Sequence, residues 1–170
     1  MTEKPALTPI DNTDADCFAC GTENPCGLHM TFYTDGQALY SFVTIPGRMR
    51  GWRNMVHGGI ISTMLDEAMA WTAIHLMRRF ILTQSMQVEF LKPVTIETPL
   101  LVKGWIKERV SRRRAVMAST VSNQRDTVLA RAEGNFALFK PDSPALQRLL
   151  PKGAAQDMPW VTDEELDSPD

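Results

Sequence analysis

The stretch NMVHGGIISTMLDEAMAW, residues 54–71, gathers the residue types that can do chemistry. His57, Gly58 and Gly59 stand at what reads as the start of a helix, with Asp66 and Glu67 about two turns further on. The first N–H groups of a helix have no partner within it and point outward with the positive end of the helix dipole. Such a mouth is a site for negative charge. Glycine leaves no side chain in the way, so a ligand oxygen can approach the backbone of Gly58 and Gly59 closely. A carbonyl oxygen held there would be stabilised as it gained charge under nucleophilic attack. The plainer alternative is a tight turn with close helix–sheet packing.

Asp66 follows Gly59 by seven residues, which returns it nearly to the same helix face. Its neighbours on the helix include Met64, Leu65, Ala68 and Met69. A carboxylate in that setting is costly unless it is paired, hydrogen-bonded or neutralised, and such groups are often functional. The alternative is a structural Asp paired with a basic residue. Glu67 lies about 100° around the helix and reads as a structural or rim residue. His57 could cap the helix, orient a carbonyl or act as a base. Thr83 opens the segment after the helix, where its hydroxyl could hold a water or the carboxylate; an ordinary strand threonine is the alternative. Arg112, Arg113 and Arg114, with Lys107 and Arg109, form the densest positive patch. They are either a solvated edge that discourages aggregation or forks for phosphate oxygens.

The elements that must position these residues follow from pattern. From Gly58 to about Arg79 there is no proline, and apolar residues wrap most of the circumference, which predicts one long buried helix. Before it, LHMTFYTDGQALYSFVTI has alternating runs on both sides of Asp35-Gly36, a hairpin signal. A basic, glycine-containing loop, residues 46–54, links the hairpin to the helix. After the helix come four alternating runs, TQSMQVEF, PLLVKGWIKERV, RRRAVMASTVS and TVLARAEGNFALF. Their connections are of hairpin length, so an antiparallel sheet is expected. PALQRLL reads as a short helix. One sheet wrapping one apolar helix solves the burial problem of both.

A length of 170 residues favours one domain, and a net charge of −2 gives no sign of a nucleic-acid binder. No secretory signal and no membrane-spanning apolar run is visible, and three cysteines do not make a disulfide scaffold. A cytoplasmic protein with reduced thiols is expected. Cys17, Cys20, Cys26 and His29 read C-x2-C-x5-C-x2-H, types that ligate zinc. The expectation is nevertheless a turn-rich lead-in to the first strand, with no metal.

This order of hairpin, helix and four strands resembles the hot-dog fold, an α+β fold in which an antiparallel sheet wraps one long central helix. VHGGIISTMLDEAM resembles the signature of hot-dog acyl-CoA thioesterases of the PaaI-like type, and lead-ins like CFACGTENPCGLHM also precede the first strand in such sequences. The resemblance covers about Cys17 to Phe139. It implies hydrolysis of an acyl-CoA thioester with no cofactor, coenzyme A being part of the substrate. Asp66 is then the catalytic carboxylate, as general base or nucleophile. Gly58 and Gly59 polarise the carbonyl, His57 shapes the mouth and Thr83 supports Asp66. Asn54 is a candidate substrate contact, at a shorter spacing than is common, and Arg112–Arg114 are candidates for the coenzyme A phosphates. The resemblance also implies a homodimer or a dimer of dimers, with the site at the boundary between chains and no nucleic-acid or membrane partner. The expected organisation is an arm at 1–16, the hot-dog domain at 17–141, and a short helix with an acidic tail at 142–170. Two rival readings are a hydratase or dehydratase of 3-hydroxyacyl thioesters, using His57 with Asp66 or Glu67, and a non-catalytic acyl-CoA binding module.

Overall fold

The computed structural model describes residues 6–12, 15–140 and 143–148. Its centre is helix α1, Gly58–Met77, and around it runs one antiparallel seven-stranded sheet. The strands are β1 (Thr8–Ile10), β2 (Phe32–Thr34), β3 (Ala38–Thr44), β4 (Phe80–Phe90), β5 (Pro99–Ser111), β6 (Arg114–Asn123) and β7 (Val128–Phe139). A short helix α2, Pro144–Gln147, follows, capped by Ser143, whose hydroxyl accepts from the Leu146 N–H. The α+β hot-dog architecture expected from the sequence is the one observed.

The turn between β2 and β3 is held by Asp35. Its carboxylate accepts from the backbone of Gln37 and Ala38, both at 2.8 Å, and from the Tyr40 hydroxyl at 2.7 Å. Gly36 carries the positive φ of 84° that the turn needs. Helix α1 packs on the sheet through Met64, Leu65, Ala68, Met69 and Thr72, all essentially without solvent contact. It ends where Arg78 adopts a left-handed conformation, φ 50° and ψ 47°.

Two features depart from the sequence reading. Residues 8–10, assigned to an arm without periodicity, form β1 against β2, pairing Thr8 with Thr34 and Ile10 with Phe32. The edge position explains this: an edge strand tolerates Pro9, because half of its backbone donors face away from the sheet. The second is strand order. β4 is not paired with its sequence neighbour β5 but with β7, giving β1-β2-β3-β5-β6-β7-β4. The expected C-terminal tail beyond residue 148 lies outside the described residues.

Candidate active site

His57 is the N-cap of α1, with extended backbone, and its ring Nδ1 accepts from the Gly59 N–H at 3.0 Å. The Ile60 and Ile61 N–H groups both donate to the His57 carbonyl. Of the first N–H groups, the Gly58 donor is thus the one without an intramolecular acceptor among the described residues. The mouth expected from two glycines narrows to one free donor, because the histidine before them consumes the second. A Cβ added at Gly58 would meet only the Phe90 ring, at 3.6 Å, an ordinary contact. Packing therefore does not demand a glycine at this position.

Beside the mouth opens a cleft of about 420 Å³, walled by Trp52, Val56, His57, Ile61, Phe90 and Val94. Trp52 and Phe90 are 70% and 56% exposed, large apolar surface that a ligand would cover. Asn54 does not line this cleft; its backbone carbonyl accepts from the Ile96 N–H at 3.0 Å, which ties the loop to the segment after β4.

Asp66 sits just over two turns along α1, roughly 12 Å from Gly58 by helical rise. It faces the start of β4, where Thr83 donates its hydroxyl to Asp66 Oδ1 at 2.9 Å. Thr83 owes its position to pairing with Phe136 of β7, just before a register shift between Thr83 and Ser85. Burial holds the Asp66 carboxyl above the usual range, and the Thr83 hydroxyl pulls it back down. A half-buried carboxylate with a single hydroxyl donor is a basic one, suited to taking a proton from water.

Glu67 points elsewhere. It accepts from the Trp71 indole N–H at 3.0 Å, and the Cys17 thiol lies 3.8 Å from it. Burial pushes its carboxyl up to about 7. The four-residue set Cys17, Cys20, Cys26 and His29 does not assemble: Cys26 is exposed, and His29 Nδ1 lies 2.8 Å from the Gly21 carbonyl oxygen.

Arg112 and Arg113 form the β5–β6 turn, Arg114 opens β6, and all three are exposed. Register places them at the end of the sheet opposite the helix mouth. Arg114 pairs with Ala137, which pairs with Leu82, whereas Phe90 at the mouth lies eight residues further along β4. One chain does not bring the arginines to its own Gly58.

Comparisons with known proteins agree with this architecture. The family model described as thioesterase superfamily matches residues 53–130, from the loop before α1 into β7. No curated protein matches the sequence. Among solved structures, a thioesterase superfamily protein aligns with a TM-score of 0.66 at 22% identity, over 72% of this chain and 60% of that one. The chain thus spans less than two thirds of that protein's length. A hypothetical thioesterase from Streptococcus pneumoniae, solved with coenzyme A, aligns with a TM-score of 0.57 at 19% identity, over 60% of this chain and 81% of that one. Alanine variants of that protein at one aspartate and at one threonine have also been solved. The E. coli PaaI protein of the phenylacetic acid degradation operon aligns with a TM-score of 0.59 at 18% identity, over 66% of this chain and 80% of that one. The family model thus matches α1 and strands β4 to β6, a little under half of the chain, and the solved structures share its architecture: this chain has the hot-dog fold and is similar over that segment to the thioesterase superfamily.

Proposed function

We propose that the protein hydrolyses an acyl-CoA thioester to a carboxylic acid and free coenzyme A. The observation that carries this reading is the Asp66–Thr83 hydrogen bond of 2.9 Å on the same helix that presents a free Gly58 N–H at its mouth. The Gly58 N–H holds the thioester oxygen as it becomes an oxyanion. Asp66 either takes a proton from the attacking water or attacks the carbonyl itself, and Thr83 aims it. The thiolate of coenzyme A leaves, and water supplies the oxygen and protons of the products. The apolar walls of the cleft take the apolar part of the substrate. No cofactor takes part. Two solved neighbours, from S. pneumoniae and Streptococcus mutans, hold coenzyme A and acetyl-CoA respectively, which supports this substrate class.

The mouth and Asp66 of one chain are too far apart to act on one carbonyl, so the site is completed by a second copy. β4 supports this. It is an 11-residue edge strand with one side unpaired among the described residues, and it exposes Leu82 and Phe90. Antiparallel pairing of β4 with its counterpart would set the mouth of one copy beside Asp66 and the arginine turn of the other. Arg112–Arg114 would then lie within reach of the coenzyme A phosphates. Light scattering should give a dimer or a dimer of dimers at micromolar concentration; a monomer there would remove the shared site. No helix among the described residues is long and apolar enough to cross a membrane. We place the reaction in the cytoplasm, where the three cysteines stay in the thiol form.

The testing experiment is free-thiol release from a panel of acyl-CoA thioesters. A hydratase would consume substrate without releasing thiol, and a binding module would turn over nothing. Thr83→Val keeps the shape of the side chain and removes the donor. It should lower kcat about tenfold, the worth of one hydrogen bond to a charged group, with KM and fold unchanged. Unchanged kcat would reduce Thr83 to a strand residue.

A further inference from the structure

Cys17, Cys20 and Glu67 lie outside the proposed reaction. Their two sulfurs and a carboxylate oxygen all lie within 4.8 Å of one another, although Glu67 comes from the middle of α1 and the cysteines from the lead-in before β2. We propose that these three side chains form a binding site for one zinc ion, clipping the lead-in onto α1.

The local fold is that of a chelating turn. The Cys20 N–H points at Cys17 Sγ from 3.4 Å, and the Gly21 N–H donates to the Cys17 carbonyl at 2.9 Å. An N–H aimed at a sulfur favours the thiolate, the form that binds metal. The turn closes so tightly that a Cβ at Gly21 would sit 2.5 Å from the Ala15 carbonyl oxygen and from Cys17 backbone atoms. Glu67 has no basic partner among the described residues; it accepts from the Trp71 N–H at 3.0 Å, the Cys17 sulfur lies 3.8 Å away, and the Cys20 thiol also interacts with it. Trp71 is itself fixed by stacking on Phe32, with ring centroids 5.5 Å apart. One oxygen of Glu67 is therefore aimed at the thiols by a side chain locked in the core.

Zinc bonds of about 2.3 Å to sulfur and 2.0–2.2 Å to oxygen put tetrahedral ligands roughly 3.5–3.8 Å apart. The three groups reach that spacing with shifts of about 1 Å or less. Two thiolates select zinc over magnesium or calcium. Cys20 is buried and Cys17 half-buried, so the ion enters from the Cys17 side and a water completes four-coordination there. Binding releases both thiol protons to solvent. Since the site spans lead-in and helix, it stabilises the arrangement of the two segments next to Asp66 without entering the reaction.

Cobalt(II) is the spectroscopic probe and zinc the competitor, added to full-length protein kept reduced with a phosphine. Wild type should develop a thiolate-to-cobalt charge-transfer band that saturates at one equivalent and is displaced by one equivalent of zinc. Cys17→Ser and Cys20→Ser should lose the band. Glu67→Gln should keep a weaker band and bind zinc about tenfold or more loosely, and zinc should raise its Tm less than that of wild type. Cys26→Ser should match wild type. Absence of stoichiometric binding by reduced wild type overturns the site, and this reading does not depend on any variant folding. Unchanged affinity in Glu67→Gln, or loss of the band in Cys26→Ser, overturns this ligand set.

Discussion

Asp66→Asn should lower kcat for thioester hydrolysis by about 10²–10⁴-fold while leaving the fold intact. The amide has the shape of the carboxylate, and its oxygen can still accept from Thr83, which donates at 2.9 Å in the wild type. What it lacks is the negative charge, needed whether Asp66 activates water or attacks the carbonyl. Stability should not suffer, because burial already disfavours the charged form of this carboxyl. Substrate binding should not suffer either if the charge acts mainly in the transition state, so kcat and kcat/KM should fall together. The measurement is thiol release under saturating and limiting substrate, paired with a denaturation midpoint for both proteins. Equal rates from Asp66→Asn and wild type would sink the assignment; a KM effect alone would make Asp66 a binding residue.

The residues of this site differ in how far the sequence revealed them. Asp66 and the helix that carries it were legible because helical period alone relates it to Gly59, seven residues earlier. Thr83 was legible as the first polar residue of the strand after the helix, and the structure supplies its hydrogen bond to Asp66. The capping of Gly59 by His57 was not, since a histidine before a glycine pair can serve as cap, base or orienting group until its ring is placed. Alternation in β4, β5, β6 and β7 told which residues face the helix but not which strands are neighbours. The pairing of β4 with β7 is set by where α1 leaves the chain, and hairpin-length reasoning does not see it. The cysteines show the same limit. Spacing suggested Cys26 and His29 as companions of Cys17 and Cys20, whereas the fold brings Glu67, 50 residues away from Cys17, beside them. A ligand set assembled from a loop and a helix leaves no linear pattern.

Gly104 falls inside the alternating run PLLVKGWIKERV, which marks it only as a strand residue, yet its replacement should be costly. It lies in the middle of β5, paired with Leu39 on one side and Ser119 on the other. Glycine inside a strand weakens it unless something must come close, and here α1 does. A Cβ at Gly104 would stand 2.5 Å from both the Ala68 carbonyl oxygen and Thr72 Oγ1, and 2.9 Å from the Ala68 carbonyl carbon. Two of these atoms are helix backbone, so no rotamer change relieves the contact. Thr72 cannot swing away freely, because its hydroxyl donates to Ala68 at 2.6 Å within the core. The helix would have to lift by roughly 1 Å, stretching the bond from the Ser119 hydroxyl to the Leu65 carbonyl, now 2.9 Å, and loosening the packing of Met64, Leu65 and Met69. Gly104→Ala should therefore cost about 3 kcal/mol, the upper end for overpacking, read as a lower urea midpoint at unchanged m-value. Gly58→Ala is the internal comparison: its Cβ has room at 3.6 Å from Phe90, so stability should hold while hydrolysis falls. If Gly104→Ala instead unfolds at the wild-type midpoint, the helix is not seated on the β5 backbone, and the distance from Asp66 to Thr83 loses the support that fixes it.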